Sequence, residues 1–244
     1  MPEPRRVQVL GSFDDLRSRD VRFLQEAARL GAVDVSLLSD EAVERITGSP
    51  AAFPEDERQY VVEAIRFVSG VTVVEGPTAG VEYVVIPDSE LDGFPDPVTS
   101  DAIPEPGGRK RAIVTGCYDW LHSGHVRFFE EVSEMADLFV TVGSDRNVEF
   151  LKGKGHPLYP EEERRYMVGS IRHVKQAIVA TGWGWLDAEP EIERIEPDIY
   201  AVNEDGDRPE KRDYCEVHGI EYRVLRRLPR AGLPARQSTD FRGF

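Results

Sequence analysis

The sequence has few cysteines, no long apolar run and fewer basic than acidic residues. Its two cysteines, Cys117 and Cys215, lie far apart and outside any Cys-x-x-Cys pattern, which excludes a disulfide framework or a cysteine-built zinc site. No apolar run approaches the roughly 20 residues that a bilayer span needs. The first six residues lack the apolar stretch of a signal peptide. We therefore expect a cytoplasmic protein with reduced thiols and no membrane partner.

The charge balance also restricts the possible partners. Lysine and arginine number 30 against 45 aspartate and glutamate residues, which gives a net charge of −15. Such a chain is a poor match for nucleic acid or an anionic membrane surface. Its 244 residues, 40% of them hydrophobic, are enough to form the core of one large domain or two small ones.

The chemically reactive side chains lie in the second half of the chain. All the histidines, lysines, cysteines and tryptophans follow residue 109. Before that point, residues 92–108 contain four prolines and three glycines, which excludes a regular element. We predict a first domain over residues 1–91, a linker over 92–109 and a catalytic domain over 110–244.

The two parts of the chain resemble each other. A shift of 105 residues superposes residues 11–23 on 116–128, and a shift of 106 superposes 54–58 on 160–164. This register predicts a tandem duplication. The first copy is shorter and reads Arg-Ser-Arg-Asp over residues 17–20, where the second reads His-Ser-Gly-His over 122–125. The first copy has therefore kept the scaffold and lost the reactive groups.

Strands and helices alternate in the second copy. We predict strands at residues 111–115, 138–143, 177–180, 199–202 and 221–225, and helices at 126–135, from Pro160 onward and at 209–218. Alternation of this kind is typical of a parallel, doubly wound sheet, whose ligands bind at the carboxyl ends of the strands. The predicted fold is α/β, with two tandem Rossmann-like domains of which the first is truncated and degenerate.

Residues 115–125 form the strongest local motif, because they run from a strand end through a loop into a helix start. His122 and His125 are three apart and so face the same way on the first turn. Gly124 permits close approach to the backbone, and the helix N-terminus favours an anion. We predict that the two imidazoles bind phosphate oxygens. The alternatives are two solvent-facing histidines, or a metal site, which lacks a third nearby ligand.

Residues 116–125, together with 151–154, 162–165 and 237–239, resemble the cytidylyltransferase family of nucleotidyltransferases. The likeness is greatest to the ethanolamine-phosphate, choline-phosphate and glycerol-3-phosphate cytidylyltransferases, and it covers nearly all of residues 110–244. It implies transfer of CMP from CTP to a phosphorylated small molecule, either phosphoethanolamine-like or a polyol phosphate, with release of pyrophosphate. It also implies Mg²⁺ bound with the nucleoside triphosphate.

The resemblance, together with the charge that phosphates bring to the site, implies roles for individual residues. We expect catalytic roles for His122, His125, Lys152 and Arg230. We expect nucleotide binding by Gly116, Cys117, Tyr118, Asp119, Gly124, Asn203, Asp205, Gln237, Ser238 and Thr239. We expect acceptor-phosphate binding by Lys154 and Arg164, and no metal ligand from a protein side chain.

Simpler interpretations exist for several of these residues. Both lysines could be solvated loop residues, and Asp205 could cap a helix. Arg164 could form a structural salt bridge, because the first copy keeps Arg58 at the matching position.

Two other functions stay open. The same superfamily includes adenylyltransferases that use ATP on a sugar phosphate or an FMN-like acceptor, and the histidine loop does not choose between CTP and ATP. A non-catalytic nucleotide-binding or assembly module is the alternative from another class. Single-domain relatives commonly pair through the helix that follows the histidine loop. We therefore expect the two copies to form an intrachain pseudo-dimer, with a further homodimer possible.

Overall fold

The computed structural model describes residues 5–97, 102–105 and 107–237. The chain divides into two compact units, unit 1 over Met1–Pro95 and unit 2 over Asp96–Phe244. Both units are α/β with parallel sheets, so the predicted fold class is confirmed. Within the described ranges, no helix combines the length and the apolar character needed to cross a bilayer.

Unit 1 contains a three-stranded parallel sheet in the order β1-β2-β3. Its strands are β1 (Arg6–Gly11), β2 (Ala32–Leu38) and β3 (Val68–Val74). Its helices are α1 (Ser18–Leu30), α2 (Asp40–Thr47) and α3 (Glu55–Glu63).

Unit 2 contains a five-stranded parallel sheet in the order β6-β5-β4-β7-β8. Its strands are β4 (Arg111–Gly116), β5 (Asp137–Val142), β6 (Val174–Val179), β7 (Ile199–Asn203) and β8 (Glu221–Leu225). Its helices are α4 (Ser123–Met135), α5 (Asp145–Lys152), α6 (Glu161–Gly169), α7 (Glu189–Ile195) and α8 (Pro209–His218).

The strand order places a crevice at the carboxyl ends of β4 and β7. The chain leaves β4 for β5 and β6 on one side of the sheet, and later returns to β7 and β8 on the other side. The loops after β4 and β7 therefore leave the sheet in opposite directions. In parallel sheets this switch point is where ligands bind.

Burial explains why these segments form strands and helices. Strands β4 and β5 are apolar on both faces, because each is covered by helices on either side. Helix α4 buries Val126, Phe129 and Val132, which recur at the helical spacing. Helix α6 begins at Glu161 rather than at Pro160, because Pro160 has an extended backbone and acts as the N-cap.

The strand pairing of unit 1 is repeated in unit 2. Arg6 pairs with Ala32 in unit 1, as Arg111 pairs with Asp137 in unit 2, at the same shift of 105. Both sheets also have an irregularity at the same place, at Val33/Asp34 and at Leu138/Phe139. A duplicated unit would produce matches of this kind.

Sequence patterns did not reveal two helices of unit 2. Helix α5 has only two buried residues, Asn147 and Val148, so its apolar face is too narrow to give a clear periodicity. Lys152, for which the sequence left a solvated loop position as the alternative, is the last residue of this helix. Helix α7 is short and follows a turn, and its Pro190 occupies the first helical turn.

Candidate active site

The loop between β4 and α4 is held by a tyrosine in the left-handed backbone conformation. Tyr118 has a φ of 54°, and its ring packs over Gly116. A Cβ atom on Gly116 would lie 2.7 Å from Tyr118 Cζ, so only glycine fits there. Unit 1 repeats the arrangement with Phe13, at a φ of 47°, over Gly11.

Asp119 fastens this loop to the segment that precedes α6. Its Oδ1 accepts the backbone N–H groups of Leu158 at 2.6 Å and Tyr159 at 3.1 Å. Asp14 of unit 1 does the same for Ala52 and Phe53. Because unit 1 keeps the contact without the histidines, the Asp119 carboxylate holds the shape of the loop.

Arg164 is buried beneath the same loop, with 1% of its surface exposed. Its guanidinium donates to the carbonyl oxygens of Tyr159, Cys117 and Gly143 and to Asp145 Oδ1, at distances between 2.6 and 2.8 Å. These contacts join the ends of β4 and β5 to the start of α6.

Arg58 has the matching position and contacts in unit 1. Its guanidinium donates to the carbonyl oxygens of Phe53, Ser12 and Leu38 and to Asp40 Oδ1. Both units therefore retain the same arginine-centred support under the first loop. This shared geometry favours the structural alternative for Arg164, and its predicted role toward an acceptor phosphate stays a prediction.

His122 is the N-cap of α4 and is 3% exposed. Its Nδ1 accepts the backbone N–H of Gly124 at 3.1 Å. In the neutral imidazole the ring proton is therefore on Nε2. A Cβ on Gly124 would lie 2.9 Å from His122 Cε1, so this glycine lets the imidazole reach back over the helix end.

His125 packs between His122 and Tyr118. Its ring stacks on His122 at a centroid distance of 4.0 Å and meets Tyr118 edge-on at 5.3 Å. Burial lowers the pKa of His125 well below its usual value, and His122, Arg227 and Lys152 lower it further. His125 is therefore neutral at pH 7. Its buried Nδ1 has no hydrogen-bond partner among the residues that the structure describes.

A cavity of about 310 Å³ opens at the carboxyl ends of β4 and β7. We call it the main cavity. It is lined by Thr115, Gly116, Cys117, Tyr118, Asp119, His125, Phe128, Lys152, Val202, Asn203, Asp205, Gly206, Lys211, Arg227 and Gln237.

Charges on the wall of the main cavity favour an anionic ligand. Asp205 is paired with Arg227, and the Asp119 carboxylate accepts two backbone N–H groups. Lys152 and Lys211 form no ion pair with a carboxylate of the described chain. Although the chain is strongly acidic, Asp119 and Asp205 at this wall already have partners, and neither lysine is neutralised by a carboxylate within the described residues.

A second cavity of about 90 Å³ adjoins the first at the N-terminus of α4. Phe128, Asn203, Arg227 and Gln237 line both cavities. The remaining lining residues of this side cavity are Gly124, Glu131, Arg226, Leu228, Pro229, Ala235 and Arg236. The two cavities together form one cleft that passes the N-terminus of α4, and the positive end of a helix favours the binding of phosphate.

Comparison with known proteins agrees with this geometry. Residues 113–219 match the family model described as cytidylyltransferase-like. The FAD synthase of Ferroglobus placidus is 37% identical over 120 residues, which span 48% of this chain and 75% of that protein. The glycerol-3-phosphate cytidylyltransferase of Staphylococcus aureus is 34% identical over 110 residues, spanning 44% and 81%. The chain belongs to the cytidylyltransferase-like family. It is a nucleotidyltransferase, as the sequence predicted.

A third relative extends the comparison. The FAD synthase of Aciduliprofundum boonei is 36% identical over 119 residues, which span 48% of this chain and 76% of that protein. Residues 113–219, which the family model matches, lie in unit 2.

Many of the predicted site residues line the main cavity of the cytidylyltransferase-like unit. They are Gly116, Cys117, Tyr118, Asp119, His125, Lys152, Asn203, Asp205 and Gln237. Gly124 lines the side cavity. Ser238 and Thr239 lie outside the described residues.

Four predicted residues lie elsewhere. His122 contacts His125 but is not among the described residues that line the two cavities. Lys154 is exposed beyond the end of α5. Arg164 supports the loop from beneath, and Arg230 lies 4.0 Å from Glu130.

Sequence patterns missed two cationic residues of the main cavity, Arg227 and Lys211. Arg227 follows β8, where Arg226 and Arg230 are equally basic neighbours, so composition alone does not select it. Lys211 is in α8, whose other residues are mostly polar and exposed. A lysine buried within a polar helix gives no periodic signal.

Proposed function

We propose that unit 2 transfers a nucleotidyl group from a nucleoside triphosphate to the phosphate of a small molecule, with release of pyrophosphate. The observation that carries this proposal is the main cavity. There, neutral His125 and the unpaired Lys152 face the same space, beside the N-terminus of α4. The cleft thus combines hydrogen-bond donors with positive charge, which phosphoryl chemistry requires.

The reaction is a direct displacement. An oxygen of the acceptor phosphate attacks the α-phosphorus of the triphosphate, and a new P–O bond forms. The bond between the α-phosphorus and the oxygen that bridges to the β-phosphate breaks, and pyrophosphate leaves with the electron pair. Negative charge accumulates on the oxygens of the reacting phosphates, so the protein acts chiefly by positioning and by offsetting charge.

Each residue has a distinct part in this mechanism. Lys152 supplies an ammonium group at the point where acceptor and triphosphate meet. His125 is neutral and so contacts the phosphates without adding a full charge. His122 holds the first turn of α4, and the positive end of this helix lies beside the triphosphate.

The side cavity is the proposed site of the base and ribose. Its wall is formed by Asn203 at the end of β7, by segment 226–229 and by segment 235–237. The family model and the glycerol-3-phosphate cytidylyltransferase relative support cytosine as the base. Adenine is the second candidate, because FAD, the product named in the FAD synthase relatives, contains adenine.

A metal ion at the main cavity would find few ligands among the described side chains. No group of three or more histidine, cysteine, aspartate or glutamate side chains suited to a metal ion occurs within the described residues. Asp119 and Asp205 are already occupied by backbone N–H groups and by Arg227. The binding of Mg²⁺ with the triphosphate stays a prediction.

Unit 1 is proposed to take no part in the chemistry. Asp20 occupies the start of α1, where its carboxylate accepts the Arg17 backbone N–H at 2.8 Å. Arg17 itself pairs with Asp15. A carboxylate thus takes the place that His125 has in unit 2, and its negative charge opposes the binding of phosphate there.

Pyrophosphate release tests the proposal. The full chain is incubated with CTP or ATP and each member of a panel of phosphorylated acceptors. We expect acceptor-dependent pyrophosphate release with one of the two nucleotides. No release with either nucleotide across the panel would contradict nucleotidyl transfer to these acceptor classes.

A further inference from the structure

Lys211 is a buried lysine on the wall of the main cavity. It lies in the first turn of α8 and is 7% exposed. Its Nζ donates to Thr115 Oγ1 at 3.0 Å and lies 5.4 Å from the centre of the Tyr200 ring. Thr115 Oγ1 is in turn 3.0 Å from Tyr200 Oη.

The surroundings of this ammonium leave it incompletely satisfied. An ammonium has three N–H donors, and Thr115 is its one hydrogen-bond partner within the described chain. Burial lowers the pKa of Lys211, and the charge of Asp187 opposes that shift from beyond ion-pair distance. A buried charge without a partner is costly, so a ligand oxygen that accepts from Nζ would stabilise it.

The proposed transfer step does not involve Lys211. The phosphate-binding features of the cleft are Lys152, His125 and the start of α4. Lys211 instead lies on the wall formed by α8 and the end of β4, together with Thr115. It is therefore placed to meet the part of the acceptor beyond its phosphate.

We propose that Lys211 is a specificity-determining residue that binds a hydroxyl or carbonyl oxygen of the acceptor and excludes acceptors with a cationic head group. An ammonium head group would meet the Lys211 charge in a site where the carboxylates are already paired. The acceptor class is thus a polyol, sugar or other oxygen-rich phosphate, and not an amino-alcohol phosphate. The inference rests on the proposed function and narrows it.

The test compares acceptor classes in wild type and Lys211→Met. The acceptors are glycerol 3-phosphate, a sugar phosphate, phosphoethanolamine and phosphocholine. Acceptor binding is measured by calorimetry without nucleotide, and pyrophosphate release is measured in parallel. Lys175→Met is the matched control. Lys175 is a half-exposed lysine on β6, and it is not among the described residues that line the two cavities.

We expect wild type to bind an oxygen-rich phosphate at least 10-fold more tightly than either cationic one. Lys211→Met should lower the affinity for the preferred acceptor about 10- to 100-fold, because a charge-assisted hydrogen bond is lost. Nucleotide affinity should stay unchanged, and Lys175→Met should behave as wild type. Lys211→Gln, which keeps one polar head of similar length, gives a second variant if the methionine variant does not fold.

Either of two results would overturn the inference. One is tighter binding of phosphoethanolamine or phosphocholine by wild type. The other is an unchanged acceptor preference in both Lys211 variants. Acceptor binding is measured without turnover, so it tests the role of Lys211 separately from the reaction. A lack of pyrophosphate release would contradict nucleotidyl transfer but not the role of Lys211 in acceptor binding.

Discussion

The imidazole rings of His122 and His125 stack at 4.0 Å, yet they have different tasks. His122 accepts the Gly124 N–H and so caps α4, whereas His125 faces the main cavity. One short motif therefore carries both a structural and a chemical group. The two effects can be separated by substitution.

His125→Ala should lower kcat by about 10² or more, because it removes a preorganised donor from the reacting phosphates. His122→Ala should lower kcat as well and should also destabilise unit 2 by about 1 kcal/mol, because it removes a helix cap. Turnover and denaturant unfolding are measured for both. Full activity in His125→Ala would remove this residue from the mechanism.

His122→Asn is the matched control, because asparagine is a good N-cap but has no imidazole. We expect this variant to unfold as wild type does and to keep most of the wild-type turnover. Impaired turnover in a normally stable His122→Asn variant would give the imidazole of His122 a direct part in catalysis.

The buried His125 should make the stability of unit 2 dependent on pH. Its folded pKa lies well below the ordinary value of about 6.5, so between the two values only the unfolded state binds the proton. Stability therefore rises with pH in that window and falls on acidification below about 6.5, by at most about 1.4 kcal/mol per pH unit.

Tryptophan fluorescence can follow this effect, because all three tryptophans lie in unit 2. Urea unfolding is compared at pH 7.5, 6.5 and 5.5 for wild type and His125→Gln. The variant should lose less stability than wild type between pH 6.5 and 5.5. Equal losses would mean that His125 has an ordinary pKa.

Lys152 and Lys154 form a natural pair of test and control. Both lysines are exposed, but Lys152 lines the main cavity, while Lys154, two residues later, is not among its lining residues. Lys152→Ala should lower kcat markedly, and Lys152→Arg should restore only part of it because the two cations differ in geometry. Lys154→Ala should have little effect. Equal losses in the two alanine variants would indicate a general charge effect rather than a cavity contact.

Arg164→Lys should destabilise unit 2 by about 3 kcal/mol, because a lysine cannot satisfy the buried carbonyl oxygens that the guanidinium joins. Hydrogen exchange should quicken at Leu158 and Tyr159, which the same loop holds. Arg58→Lys should have the same effect at the matching amides of unit 1. Unchanged stability with a raised KM for the acceptor would instead favour the predicted role at the acceptor phosphate.

A fragment that lacks unit 1 tests the predicted pseudo-dimer. The fragment should begin at Asp96, because Asp96 pairs with Arg165 and Ile103 packs on the core of unit 2. Both residues lie in the segment that the sequence suggests is a linker. If the two copies pair, gel filtration should show that the fragment self-associates. Turnover assays should show that it has lost activity. A monomeric, fully active fragment would contradict the pairing.

The sequence predicted the scaffold better than the site. Apolar strands and turn residues identified β4, β5, β7 and β8 closely, because burial on both faces leaves a continuous pattern. The histidine motif and Lys152 could be identified from the sequence, because these glycine, histidine and lysine residues lie near the ends of recognisable strands and helices. Lys211 and Arg227 were missed, because their role depends on how α8 and the chain after β8 fold back over β4. Periodicity along one element contains no such information.

Comparison of the two units also gave information that neither unit gives alone. Arg58 and Arg164 share their contacts while the histidines occur in one copy only, so the comparison separates support from chemistry.

Transfer of an α-phosphorus label in a single turnover tests the central claim most directly. Labelled CTP or ATP is mixed with excess full-length protein and the acceptor, and the product is identified. We predict that the label becomes attached to the acceptor in wild type and in the unit 1 variant Arg19→Ala, and that transfer falls about 10²-fold or more in His125→Ala. Label released only as free nucleoside monophosphate, or undiminished transfer in His125→Ala, would contradict the account.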